Sequence, residues 1–383
     1  MKEYSKQDLD KIYKERRKKL SDYMNENSLG CVVFIDSEEH RESAVAYLTG
    51  HANDCVLMIF ADGYTILVPW DENLAKQYGH FDKLVPYQRY KNDSLEAIKA
   101  LLNIHMNSHA HNNKVELPPY LTYPQYLKFI DSLCNYDCRC KEDGAHNFVT
   151  ECRMIKDEYE IECTKEACRV GDLIIDEVEK LVKVGKIKTE SDVALLIEKR
   201  LRENKCEKTG FETLAAGPKR SFAIHAFPGY TDSPWPAEGL SILDFGVVYK
   251  GYTSDTTLTI AKEPLTKEQE VQINLVQKAY NECLKLYTPE HTIVEAAKKA
   301  ESIFSVAKRK MPHTLGHAIG LEIHEYPRVS PKMPLELKFQ PGMILTCEPG
   351  LYDSEIGGCR LENDVLITEK GNEVLSHSRI IKI

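Results

Sequence analysis

The sequence has no apolar run approaching the ~18 residues of a membrane-spanning helix. Its opening stretch, MKEYSKQDLDKIYKERRKKLSDYM, is charged throughout and has none of the apolar core of a signal peptide. These two absences lead us to expect a cytosolic protein with no membrane partner. Basic charge is also short: the net charge is −9 and the pI about 5.9. Nucleic-acid binding needs a basic surface and is not expected. No repeat of 20–50 residues is visible, which argues against a solenoid or propeller. The twelve cysteines are expected to be free thiols, as is usual in the cytosol. The tightest group, Cys134, Cys138 and Cys140, has no CxxC pair or histidine partner at zinc-site spacing.

At 383 residues and 42% hydrophobic, the chain can form a core in each of two domains of ordinary size. Residues 5–27 read as an amphipathic helix with Ser5 as its cap and Gln7 and Asp8 in its first turn. Segments 30–36, 54–60 and 64–70 read as strands, the last two joined through Ala61-Asp62-Gly63, and 71–79 and 94–103 read as helices. This alternation predicts an α/β first domain. A boundary is placed at 150, giving domains 1–150 and 151–383. Beyond it, helical periodicity covers 152–182, 189–205, 266–286 and 292–310. Strand patterns cover 240–249, 252–261, 343–348 and 359–367. Long helices with mostly antiparallel strands make the second domain α+β.

Three stretches of the second domain carry chemistry. In SILDFGVVYKGYTSDTTLTI (241–260), two strand patterns flank Lys250-Gly251. A two-residue turn there pairs Tyr249 with Tyr252 and Asp244 with Thr257. Asp244 and Asp255 then become diagonal neighbours on one face. A one-residue slip would separate them. Two adjacent carboxylates on an apolar face need a cation, whereas two facing water do not; the hairpin alone leaves both readings open. In MPHTLGHAIGLEIHEYP (311–327), His313, His317 and His324 fall within twelve residues, and Gly316 and Gly320 flank the middle one. In GMILTCEPGLYDSEIGGCRLENDVLIT (342–368), Glu348 ends an apolar run and Glu362 lies inside an apolar strand. Arg360 could be a plain ion-pair partner of Glu362, but that does not account for Glu348. Two Asp, two Glu and one His suit borderline-hard divalent ions: Mn, Co, Zn or Fe(II). Four carboxylates balance two such ions, which at about 3.5–4 Å apart can activate a water and clamp a tetrahedral intermediate.

At these residues the sequence resembles the creatinase/prolidase/aminopeptidase P group of "pita-bread" metallopeptidases. DFG (244–246), SDTT (254–257), GHAIGLEIHEYP (316–327), CEPGLY (347–352) and RLEND (360–364) occur in the group's order. The region 46–70 more weakly resembles the smaller N-terminal domain of prolidases and aminopeptidases P. The resemblance implies two divalent ions per subunit, Mn or Co first and Zn or Fe next. Asp244 would chelate one, Asp255 and Glu362 would bridge both, and His317 and Glu348 would complete the second. It further implies Glu348 as proton shuttle, His324 as a stabiliser of the oxyanion, His225 as the histidine preceding the metal hairpin, and His313 and Arg360 as pocket-lining residues. Short proline-containing peptides are the implied substrates and a homodimer the implied assembly. Leu258, Ala318 and Asn363 depart from the group's usual Arg, Gly and Asp.

The expected function is Xaa-Pro dipeptidase, with aminopeptidase P on longer peptides as the near alternative. Methionine aminopeptidase fits less well because it lacks the N-terminal domain. A creatinase-like amide hydrolase is disfavoured by the retained Asp244 and Asp255, and an inactive peptide-binding module by the retention of all five ligands.

Overall fold

The computed structural model describes residues 3–109 and 112–383. They divide into two compact units, one reaching Arg153 and one running from Met154 to Ile383.

The first unit is a mixed six-stranded sheet with helices. It opens with the helix Lys6–Glu26, where Ser5 and Asp8 satisfy each other's backbone N–H groups in a capping box. The sheet order is 83–84, 65–69, 55–60, 31–36, 114–116, 137–139. The two pairings among 65–69, 55–60 and 31–36 are antiparallel, and the three outer pairings are parallel. Strands Cys31–Asp36 and Cys55–Phe60 are buried almost throughout, as their continuous apolar sequences require.

The second unit repeats one theme: a pair of helices packed on an antiparallel sheet. The helices Glu158–Lys183 and Glu190–Glu203 share a core with the sheet ordered 380–382, 256–262, 239–245, 214–216. The helices Lys267–Leu284 and Ile293–Val306 share a core with the sheet ordered 325–329, 316–318, 344–347, 363–368, 371–374. Thr189, Thr266 and Thr292 cap three of these helices, each in a capping box. Among the described residues an isolated bridge, Thr257 to Glu362, links the two sheets.

The long helix expected over 152–182 is two helices, Ala145–Met154 and Glu158–Lys183. The periodicity runs on, but Asp157 caps the second helix with Glu160 as its box partner, and Lys156 N–H bonds to Gly342 O instead of continuing the first. The two long strand patterns around Lys250-Gly251 are likewise each divided in two, at Gly246 and at Ser254-Asp255. Among the described residues no helix is long and apolar enough to cross a membrane.

Candidate metal centre

The hairpin sets the first two acids. Lys250 and Gly251 have φ of 49° and 83°, as a type I′ turn demands, and Tyr249 pairs with Tyr252. The register holds through the break, so Thr257 pairs with Asp244. At the break the chains nearly touch: a Cβ on Gly246 would lie 2.2 Å from Ser254 O. Asp244 and Asp255 are each only 5% exposed, which removes the reading of solvated edge acids.

The other sheet brings the remaining ligand candidates. His317 and Glu348 come from its short inner strand and the end of its neighbour, and Glu362 from the bridge between sheets. Donor atoms of Asp255, His317 and Glu362 lie within 4.8 Å of one another. Glu348 Oε1 stands 3.4 Å from His317 Nε2, and Asp255 Oδ2 stands 3.5 Å from the same nitrogen. Asp244 sits to one side, its Oδ2 2.5 Å from Arg360 Nη2. All five line one cavity of about 590 Å³, together with His225, His313, His324 and Arg360.

Arg360 does more than the expected pairing with Glu362. Its Nε is 3.8 Å from Glu362 but 2.8 Å from Thr257 Oγ1, which in turn donates to Glu362 Oε2 at 2.6 Å. Its close carboxylate is Asp244. Nη1 donates to Tyr352 OH at 2.6 Å. Tyr352 OH meets His313 Nε2 at 3.0 Å, and His313 Nδ1 bonds Thr314 O.

The electrostatics call for a cation. Burial, then neighbouring Glu362 and Asp244, push Asp255 well above the usual carboxylate range. Burial and Glu362 do the same to Glu348. Glu362 is raised to about 7 by burial and by Asp244. Burial and then His324 lower His317 to about 3; burial and then Arg360 lower His313 to about 4. The imidazoles are therefore neutral at pH 7. His317 Nδ1 points at Ala318 O, 3.2 Å away, so its proton belongs there. Nε2 then turns a lone pair toward two acids at 3.4 and 3.5 Å, an arrangement that a metal ion satisfies. Asp244 Oδ1 is buried with no hydrogen-bond partner, a further free ligand atom. The residues present thus fit a divalent metal.

Several supporting groups were given no role by the sequence, although Asp364 lies inside the RLEND piece. Asp364 Oδ2 accepts the Asp255 N–H at 2.9 Å, and Thr346 Oγ1 accepts the His317 N–H at 3.1 Å while touching Glu348 at 3.3 Å. The cavity wall also includes Phe211, Glu212, Ile323 and Arg328. Asp364 lies two residues beyond Glu362, so strand alternation was its available signal. The three departures lie off the cavity wall. Leu258 is a buried core residue beneath the first helix pair. Ala318 sits at a bulge beside His317 and packs in the other core. Asn363 donates to Tyr280 OH and Ser378 O and accepts the Ser378 N–H.

Residues 162–369 match metallopeptidase family M24. The chain belongs to that family. It is a metallopeptidase, and its second unit is the family's pita-bread domain, preceded by the mixed α/β domain found in prolidase structures. It is 28% identical over 370 residues to the Xaa-Pro dipeptidase of Pyrococcus horikoshii, covering 95% of this chain and 97% of that one. It is 29% identical over 380 residues to the Xaa-Pro dipeptidase of Pyrococcus furiosus, covering 95% and 98%. The crystal structure of the prolidase from P. horikoshii superposes with a TM-score of 0.81 at 26% identity, covering 96% of this chain and 99% of that one. M24 peptidases depend on metal, and the buried Asp255, His317 and Glu362 are a group that can hold it.

Proposed function

We propose that this M24 peptidase is an Xaa-Pro dipeptidase working with two divalent ions held by Asp244, Asp255, His317, Glu348 and Glu362. The observation that carries the proposal is the convergence of all five on one cavity, in a chain similar over nearly its whole length to Xaa-Pro dipeptidases. The ions, Mn or Co first and Zn or Fe next, supply Lewis-acid polarisation of the scissile carbonyl and a nucleophile usable at neutral pH.

The protein's own groups do the rest. Glu348 is largely shielded beside His317 and its affinity for protons is raised, which suits it to take a proton from the attacking water and pass it to the departing proline nitrogen. His324 packs edge-on against His317, ring centroids 4.3 Å apart, and partial desolvation and then Arg328 lower its affinity for protons, so its neutral ring can offer an N–H to the oxyanion. His225 and His313 line the substrate space. Arg360 holds Asp244 directly and Glu362 through Thr257, fixing two carboxylates at once. A bond to proline has no amide hydrogen and a fixed φ, so a dedicated cavity is needed to present it. A homodimer belongs to the same proposal; it rests on the family resemblance, and the mass in solution tests it.

The deciding assay compares Xaa-Pro dipeptides with Xaa-Pro-Xaa tripeptides after chelation and re-addition of Mn²⁺ or Co²⁺. Preference for the dipeptide supports the proposal. Preference for the tripeptide replaces it with aminopeptidase P, and a protein that stays inactive with every metal leaves a peptide-binding module.

A further inference from the structure

Glu190 is a carboxylate with no exposed surface, at the first turn of the helix Glu190–Glu203 and outside the cavity. It receives four donors. Gly217 N–H bonds Oε1 at 2.8 Å. Oε2 accepts Thr231 N–H at 2.7 Å, the Thr231 hydroxyl at 2.6 Å, and the Arg220 guanidinium. Those donors are the two ends of an irregular loop, 217–231. Arg220 also reaches across it to Pro228 O. Gly217 leaves little room to rearrange: a Cβ there would lie 2.8 Å from Pro234 O. The loop's middle, Ile224 to Phe227, with Gly229, forms part of the cavity wall and carries His225. Arg360 Nη1 touches Ile224 O at 3.2 Å, tying that tip to the guanidinium that holds Asp244. Ala226 packs on Leu214, Ala216 and Ile242, and Ala215 N–H bonds Gly229 O at 2.9 Å. Phe227 is 92% exposed.

We propose that Glu190 is a positioning residue: it buckles the ends of loop 217–231 together and so sets the part of the cavity wall that carries His225 against the substrate. A loop closed at its base by charge-assisted hydrogen bonds needs only a few contacts further along to keep its tip in register. The inference rests on the peptidase reading for its kinetic consequence and not for its structural one.

The test is E190Q in the full-length, metal-loaded protein. An amide accepts through one oxygen only, so either the Gly217 or the Arg220–Thr231 side of the buckle meets an NH₂ group. KM for an Xaa-Pro dipeptide is expected to rise about tenfold, with a smaller change in kcat and unchanged bound metal. Chymotrypsin cleavage at Phe222 or Tyr230 is expected to quicken by a similar factor of about ten, because the loop opens locally. Wild-type KM and wild-type cleavage would overturn the proposal. Cleavage spread over the whole chain with loss of metal marks general unfolding and passes the decision to a second variant. If E190Q does not fold, R220M removes one arm of the buckle and the bond to Pro228; it is judged by the same pair of outcomes. Should the wild type cleave no Xaa-Pro dipeptide, the substrate assignment fails while the cleavage result still decides the buckle.

Discussion

Glu190 and Glu362 are both buried carboxylates in the same unit, 0% and 2% exposed, yet their surroundings differ in kind. Around Glu190, two backbone N–H groups, a hydroxyl and a guanidinium meet one carboxylate. Glu362 and its neighbours Asp244, Asp255 and Glu348 share one buried guanidinium, Arg360, and two threonine hydroxyls. The first arrangement is complete without any further group. The second leaves an Asp244 oxygen unpartnered and aims the lone pair of His317 at acids. A buried acid with all its donors reads as architecture. A cluster with more acids than donors reads as a place for cations.

The sharpest way to break the contrast is Asp255→Asn. At a cation site it should cost most of the bound metal and lower kcat/KM by roughly 10³-fold or more, with the fold kept. Metal content and dipeptide turnover check this. A variant with full metal and full rate would make the cluster no different in kind from Glu190. His324→Ala comes next. It removes a proposed oxyanion donor but no ligand, so metal should stay while kcat falls by about 10²-fold. Unchanged kcat would take His324 out of the chemistry.

The two regions were unequally legible in sequence. The hairpin register could be derived, because Lys250-Gly251 sets the turn and period two does the rest. Glu190 could not. Its partners, Gly217, Arg220 and Thr231, lie in a loop with no periodicity, and no residue type among them signals a ligand. The same limit hid the Arg360–Thr257–Glu362 chain, which joins residues more than 100 positions apart. The divided helix at Ile155–Asp157 escaped for another reason: apolar spacing continues across it, while the break comes from a cap and a bond to distant Gly342. Local patterns report elements and turns. Partners gathered from several elements appear only once the sheets meet.

The smallest effect expected is one of pH, and it tests the shortage of donors directly. Glu362 has a folded-state value of about 7 against an ordinary 4.5, so between those values the metal-free folded chain keeps a proton that the unfolded chain has released. Stability from this group is therefore complete below about pH 4.5 and is lost as pH rises through about 7. Asp255 and Glu348, also raised, act in the same direction. Bound metal replaces the proton and should remove the slope. The measurement is Tm against pH from 4 to 8, with chelator and with Mn²⁺, for wild type and Glu362→Gln. Chelated wild type should lose Tm across this range, more than either the Mn²⁺-loaded protein or chelated Glu362→Gln. If chelated wild type and Glu362→Gln follow the same curve, Glu362 is as well satisfied by the protein alone as Glu190 is, and the contrast between the two sites disappears.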